Sequence, residues 1–572
     1  MGFRLSHLYA RPDVNPVTLK ARSVPLLNPI DIYGRVFFFS WFGFMVAFWA
    51  WYTFPPLLTH TIKNDLQLSP AEVANSNIVS LCATLLVRLV AGPLCDQFGP
   101  RQVFGGLLLV GAIPLGLAPL VHNATGLYVS RFFIGILGGS FVPCQVWSTG
   151  FFDKNIVGTA NALTGGFGNA GGGITYFIMP AVYDALIGAR HTPGQAWRLT
   201  FLVPLAMVIT TGIALIALCP DTPTGKWRDR HLHIRSHAES ATSETDADTE
   251  IVDVPGRITD RHTPETPLTL SPSPSREKIP AIPIKFDLEA AAVTTKIPQL
   301  PVKPKTNANN NKEHEKAAKA EPEPGTKETS LQQTENEIIR PPTWNDSLRV
   351  ALSPQTIFHM LTYMCSFGTE LALNSVLASY YAKNFPATLG QTAAANWAAM
   401  FGFLNFVTRP LGGAVSDLLY RYASSSSHHH CQGQGQGRGH SDSMVLWFKK
   451  AWIVVCGLAS GALLVVIGRV DPREQGVMFG LVAVLAFFVE AGNGANFSLV
   501  PHVHPHANGI VSGLTGAGGN LGGVLFAVVF RFMDGGTDYA KGFWVIGVVN
   551  LVVCAAVSWI PPLPNKARVG SH

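Results

Sequence analysis

The chain of 572 residues is 47% hydrophobic and only 14% charged, with a mean hydropathy of +0.24. That composition excludes a string of water-soluble domains. The formal charge of +6 sits mostly in short loops, where attraction to anionic lipid is sufficient to explain it, so it calls for no nucleic acid. Apolar runs of spanning length fall near 36–58, 72–94, 103–121, 126–148, 158–183 and 199–219, then near 355–381, 391–416, 448–468, 476–500, 508–532 and 542–561. They predict an all-α polytopic membrane protein with roughly twelve helices in two sets of six. The expected organisation is an N-terminal segment 1–35, a six-helix bundle 36–220, a linker 221–345, a second bundle 346–562 and a tail 563–572. The linker is rich in Pro, Ser, Thr, Glu and Lys with almost no aromatics, so it is expected to be disordered.

Arg101, the cluster Lys226/Arg228/Arg230, Arg421 and Lys449/Lys450 fall on one side of this threading together with both termini, which makes that side cytoplasmic. The sequon at Asn123-Ala-Thr125 falls on the other side. No cleavable signal peptide is expected, because the first thirty or so residues are polar. Of the eight cysteines, Cys82, Cys144, Cys219, Cys365, Cys456 and Cys554 lie in apolar helices without CxxC pairing and read as packing residues. A low-complexity insertion near 422–445 contains His428-His-His430; its composition favours a flexible tract over a metal site, and no metal or other cofactor is expected.

Two segments occur twice. Arg88-Leu-Val-Ala-Gly92-Pro-Leu-Cys-Asp96 returns as Arg409-Pro-Leu-Gly-Gly413-Ala-Val-Ser-Asp417, and Leu163-Thr-Gly-Gly-Phe-Gly-Asn169-Ala-Gly-Gly172 returns as Leu514-Thr-Gly-Ala-Gly-Gly-Asn520-Leu-Gly-Gly523. The arginine repeat is offset by 321 positions (88 to 409) and the asparagine repeat by 351 (169 to 520), a difference absorbed by the low-complexity insertion. Two similar halves, each with one intramembrane arginine, point to a carrier for an anion. An unpaired arginine at that depth costs at least about 2.5–3.5 kcal/mol on insertion scales. Pseudo-twofold symmetry would set Arg88 and Arg409 face to face across a central cavity, where one desolvated anion satisfies both. Planar guanidinium forks suit a small flat oxyanion such as nitrate, nitrite or a carboxylate. The match of Gly166-Phe-Gly168-Asn-Ala-Gly171 to a dinucleotide fingerprint is rejected, because it lies in an apolar span with no βαβ context.

The segment Gly92-Pro-Leu-Cys-Asp96-Gln-Phe-Gly99-Pro-Arg101 resembles the signature loop of the major facilitator superfamily, as does its counterpart Gly413 to Asp417 with Arg421. The resemblance implies the major facilitator fold, two pseudo-symmetric six-helix bundles rocking about a central site, with Asp96 and Asp417 as conformational latches and Gly92 and Gly413 as close-approach points. The paired Asn-Gly segments and Thr408-Arg409-Pro-Leu-Gly-Gly413 resemble the nitrate/nitrite porter family, in its eukaryotic, fungal-type high-affinity branch. By that resemblance Arg88 and Arg409 are the substrate arginines and Asn169 and Asn520 line the site. Tyr363 and Phe367 of the seventh helix are the pocket aromatics, with Phe141 of the fourth helix a further candidate for walling a flat anion. Gly168, Gly171, Gly519 and Gly522 would let helices slide as the halves rock.

The function that follows is import of nitrate, and also nitrite, across the plasma membrane, with both termini cytoplasmic and no enzymatic activity. A cell interior negative by 100 mV opposes entry of one negative charge by about 2.3 kcal/mol, so accumulation requires coupling, and protons are the expected coupling ion. Glu370 and Glu490 are the intramembrane acids on offer, and the residues do not choose between them. Three alternatives stand beside this reading: a nitrate/nitrite exchanger, a carrier for another small organic anion, and a receptor that signals through the linker. Thr263, Thr266, Ser271 and Ser273 each precede a proline and make the linker a target for kinases.

Overall fold

The computed structural model describes residues 5–15, 18–58, 61–229, 343–389, 391–430, 438–533 and 538–564. Among them are twelve long helices. The first six are α1 (Ile32–Trp51), α2 (Pro70–Phe98), α3 (Pro100–Leu117), α4 (Ala124–Phe151), α5 (Val157–Gly188) and α6 (Pro193–Leu218). The second six are α7 (Pro354–Asn384), α8 (Gln391–His430), α9 (Arg438–Val470), α10 (Gln475–Val503), α11 (Asn508–Phe532) and α12 (Tyr539–Val557). All twelve expected spans are found in order. Ten helices are apolar enough over their length to cross a membrane. The other two, α7 and α8, bury an unusual load of polar groups, among them His359, Thr362 and Glu370 on α7 and Asn405, Thr408, Arg409 and Asp417 on α8.

Helix starts are written locally. Ser69 caps α2 in a reciprocal capping box with Glu72 and is followed by Pro70, while Thr192 does the same for α6 with Gln195 and Pro193. Asn123 caps α4, its side chain accepting from the Gly126 N–H at 2.7 Å. Gly99, at φ +92°, makes the turn from α2 into α3 that a residue with a Cβ adopts only under strain. One irregularity matters for the site: α4 passes through a 3-10 segment at Gly135–Ser140 before resuming at Phe141.

Small residues set the packing. A Cβ on Gly168 or Gly171 would run into Phe44 or the Met45 carbonyl of α1, and one on Gly519 or Gly522 would meet Tyr363 or the Met364 carbonyl of α7. These four glycines therefore close α5 onto α1 and α11 onto α7, contacts inside each half. Gly92 and Gly413 lie between the halves: a Cβ on Gly92 would come 2.4 Å from the Gly509 carbonyl oxygen of α11, and one on Gly413 2.6 Å from the Gly158 carbonyl oxygen of α5. The halves thus meet along α2 with α11 and α5 with α8, and they belong to one compact unit.

At the end where α1 begins, the chain is folded rather than loose. The Ala21 N–H donates to the Phe151 carbonyl at 2.9 Å, the Asp153 N–H returns to the Ala21 carbonyl at 2.9 Å, and the Tyr33 hydroxyl donates to the Leu19 carbonyl at 2.6 Å. The segment after α6 is held too, through an Arg101–Asp221 ion pair of 2.6 Å and a Trp227 indole N–H donated to the Asp96 carbonyl at 3.0 Å. Residues 230–342, with the four proline-directed sites, lie outside the described residues. In the region expected to be a flexible insertion, α8 continues as helix to His430 and α9 starts at Arg438, while 431–437 lie outside the described residues.

Candidate functional site

The two arginines meet over one ring. Arg88 on α2 is 0% exposed and Arg409 on α8 is 1% exposed, and their guanidinium carbons lie 4.8 and 5.4 Å from the centroid of Phe141. The Arg88 Nε donates to the Gly138 carbonyl at 3.0 Å, on the 3-10 segment of α4, and its Nη1 donates across the interface to the Gly516 carbonyl of α11 at 3.1 Å. The Arg409 Nη2 donates to the Tyr363 hydroxyl at 3.0 Å. Each arginine is laid against a glycine of the opposite half: a Cβ on Gly165 of α5 would sit 2.7 Å from the Arg409 Nε, and one on Gly516 would sit 3.2 Å from the Arg88 Cδ.

Three guanidinium nitrogens, Arg88 Nη2 and Arg409 Nε and Nη1, have no hydrogen-bond partner among the described residues, and neither arginine forms an ion pair there. Buried donors without acceptors are costly. The arrangement is a pair of cations held in place with part of its hydrogen-bonding capacity unspent. Around it the rings of Phe141, Tyr363 and Phe367 are nearly parallel. Phe141 lies 6.2 Å from Tyr363 at 13° and 6.4 Å from Phe367 at 11°, and Tyr363 and Phe367 lie 5.1 Å apart at 9°. Phe497 of α10, which carries no sequence signal, stands edge-on to both Phe141 and Tyr363.

The two asparagines are not equivalent in detail. Asn520 donates its amide N–H to the Gly516 carbonyl at 3.0 Å, the same carbonyl that receives Arg88, and so sits one bond from that arginine. Asn169 has neither amide atom partnered among the described residues and lines a cavity with room for water over ≈ 70 Å³. Its walls include Tyr52, Tyr176, Glu370, Asn374 and Asn405, and it lies toward the end where α1 finishes and α8 begins. Glu370 accepts from the Asn405 amide and, at 2.7 Å, from the Asn493 amide. Glu490 accepts from the Thr408 hydroxyl, one residue before Arg409. The polar partners Asn405 and Asn493 have no motif to announce them, and Thr408 stands only as the first residue of the Arg409 motif; their place in apolar spans is the one further hint of a role.

At the other end the halves are cross-linked by carboxylates on helix N-termini. Asp96, at the end of α2, accepts from the Gly509 and Ile510 N–H groups of α11, both at 2.9 Å. Asp417 of α8 accepts from the Thr159 N–H at 2.6 Å and hydroxyl at 2.8 Å at the start of α5, and forms a buried ion pair with Lys449 at 2.9 Å. A negative side chain on the first turn of a helix is matched to the helix dipole. The pair repeats the twofold relation seen in the arginines, and Asp417 is held in addition by Lys449. The halves are cross-linked at the end bearing Asp96 and Asp417, where a cavity with room for water over ≈ 120 Å³ is lined by Asp96, Lys154, His506 and Asn508, and the Asn169 cavity lies toward the opposite end.

Two repeated bundles, cross-linked at one end around buried arginines, define a multi-pass membrane carrier. The chain belongs to the major facilitator superfamily: residues 40–425 match the model of the Major Facilitator Superfamily. It is 32% identical to Elsinochrome transporter 1 of Elsinoe fawcettii, over 98% of this chain and 99% of that protein. It is 28% identical to High-affinity nitrate transporter 2.3 of Oryza sativa subsp. japonica, over 90% of this chain and 75% of that one, and 26% identical to the Nitrate/nitrite transporter NrtP of Nostoc punctiforme, over 91% and 90%. Among solved structures it is similar to the proton:xylose symporter XylE bound to 6-bromo-6-deoxy-D-glucose, with a TM-score of 0.54 at 10% identity over 91% of this chain and 94% of that one; this likeness concerns the fold alone.

Proposed function

We propose that this carrier imports nitrate, and also nitrite, by alternating access, with Arg88 and Arg409 clamping the anion between the two halves and protons supplying the coupling. The observation that carries the reading is the pair of buried guanidinium groups, one from each half, that share the Phe141 ring and leave three nitrogens without protein acceptors. A flat monovalent oxyanion can accept from both forks at once, and aromatic rings can wall its faces. The names of the relatives from rice and Nostoc support the same class of cargo. The Asp96 and Asp417 cross-links act as the gate on the side of the termini, which is the cytoplasmic side of the plasma membrane.

Once the anion neutralises the arginines, the halves rock, the carboxylates leave the helix N-termini and the site opens inward. Exchange of nitrate for nitrite is the runner-up coupling mode. A second cargo has its own support, because the relative named for elsinochrome shares 32% identity over nearly the full chain. Labelled nitrate uptake into proteoliposomes, with chloride, nitrite, chlorate and elsinochrome as competitors, separates these readings. Proton-gradient-dependent nitrate uptake blocked by nitrite and chlorate is the expected result; absence of nitrate uptake with transport of elsinochrome would overturn the cargo.

A further inference from the structure

We propose that Glu370 is the carboxyl that takes up and releases the co-transported proton, and that Glu490 is not. This rests on the proton-coupled reading given above and names the residue that would execute it. The two acids differ in their surroundings. Glu370 forms part of the wall of the Asn169 cavity, so protons arriving from that side reach it through space large enough for water. Its two oxygens are held by separate amides, Asn405 of α8 and Asn493 of α10. Glu490 is 0% exposed, does not line the cavity and is bonded by the Thr408 hydroxyl.

The charges facing Glu370 make the coupling. Arg409 of α8 and Arg88 of α2 act on it, as do Glu490 of α10, Tyr52 of α1 and Tyr363 of its own helix. Tyr176 of α5 lines the same cavity. The groups of α11 and α12 nearest this part of α7 are neutral: the glycines 522 and 523, and Asn550, which donates to Thr369. An ionised Glu370 competes with the anion for Arg409, so proton and anion each favour the binding of the other, and by linkage the effect is reciprocal. The step is a simple protonation: the carboxylate gains a proton from water on the cavity side and loses it to water on the far side once the halves have rocked. Helix α8 joins the two events, because Asn405 touches the carboxyl and Arg409, one turn on, touches the anion site.

The test uses full-length protein in proteoliposomes that enclose a pH-sensitive dye, with nitrate added outside. Wild type acidifies the lumen when nitrate enters and accumulates labelled nitrate against its gradient. Glu370→Gln is expected to abolish nitrate-evoked acidification and uphill accumulation, while counterflow of labelled nitrate persists and no longer changes with pH. Glu370→Asp restores acidification, and Glu490→Gln retains it. Acidification by Glu370→Gln equal to wild type would overturn the assignment alone, as would loss of counterflow in both Glu370 variants, which would mark a structural role. If wild type moves nitrate with no proton at all, the coupling reading falls first and the assignment falls with it.

Discussion

The two roles of Asp417 should be separable by mutation, because Thr159 of the other half and Lys449 of its own half hold it through different contacts. Asp417→Asn replaces a charged acceptor of the Thr159 N–H and hydroxyl, contacts made between the halves, by a neutral amide oxygen. Hydrogen bonds to charged groups contribute about 1.5–3 kcal/mol. Losing one such increment moves the gate equilibrium toward the open form by roughly 10- to 150-fold. The same change strips Lys449 of its counterion within the C-terminal half, whether the gate is open or shut, and removing one partner of a buried pair costs about 3–5 kcal/mol. Asp96→Asn should shift the gate similarly, since it weakens the acceptor of two backbone N–H groups of α11. Spin labels at Asn155→Cys and Tyr422→Cys, in a cysteine-depleted background, report the gate, because the Arg421 side chain bonds the Asn155 carbonyl across the interface at 3.2 Å. Both aspartate variants should gain a longer distance. Thermal unfolding should be lowered by Asp417→Asn and regained on adding Lys449→Met, with the gate still shifted. An unchanged distance distribution in Asp417→Asn, or closure regained with Lys449→Met, would refute the division of labour.

Three further outcomes follow from the geometry. Arg88→Lys and Arg409→Lys each exchange a planar fork for a point charge and should weaken nitrate binding by at least about tenfold in a titration, whereas retained affinity contradicts the fork argument. Gly92→Ala places a Cβ 2.4 Å from the Gly509 carbonyl oxygen and should populate the open gate in the same distance measurement; a closed distribution would show that α2 and α11 can give way. Deleting about residues 240–330 should leave uptake intact while altering its control, and loss of uptake by a correctly inserted deletion would refute a dispensable linker.

The repeats made the long-range geometry legible. Equal spacing of Arg, Gly and Asp on α2 and α8 was enough to place two arginines opposite each other, and the structure brings Arg88, Arg409, Phe141, Tyr363 and Phe367 together. What sequence spacing could not say is which neighbour a glycine faces. Gly168, Gly171, Gly519 and Gly522 read from the motif as glycines that let helices slide as the halves rock; they pack α5 on α1 and α11 on α7, while Gly92, Gly413, Gly165 and Gly516 make contacts across the halves. Nor did the motif separate Asn169, facing a cavity, from Asn520, turned to its own helix. The turn of 3-10 helix in α4 that presents Gly138 to Arg88 left no mark beyond a glycine-rich stretch. Lys449 was legible as a basic loop residue and is instead the buried partner of Asp417, a contact that depends on how α9 docks on α8.

The central claim is that one anion is shared by two arginines from opposite halves, and a nitrate-bound structure of the full-length protein tests it most directly. The account predicts flat density against the Phe141 ring, within hydrogen-bond distance of both Arg88 Nη2 and a free nitrogen of Arg409. Nitrate held by one arginine alone, or bound away from both, would contradict it.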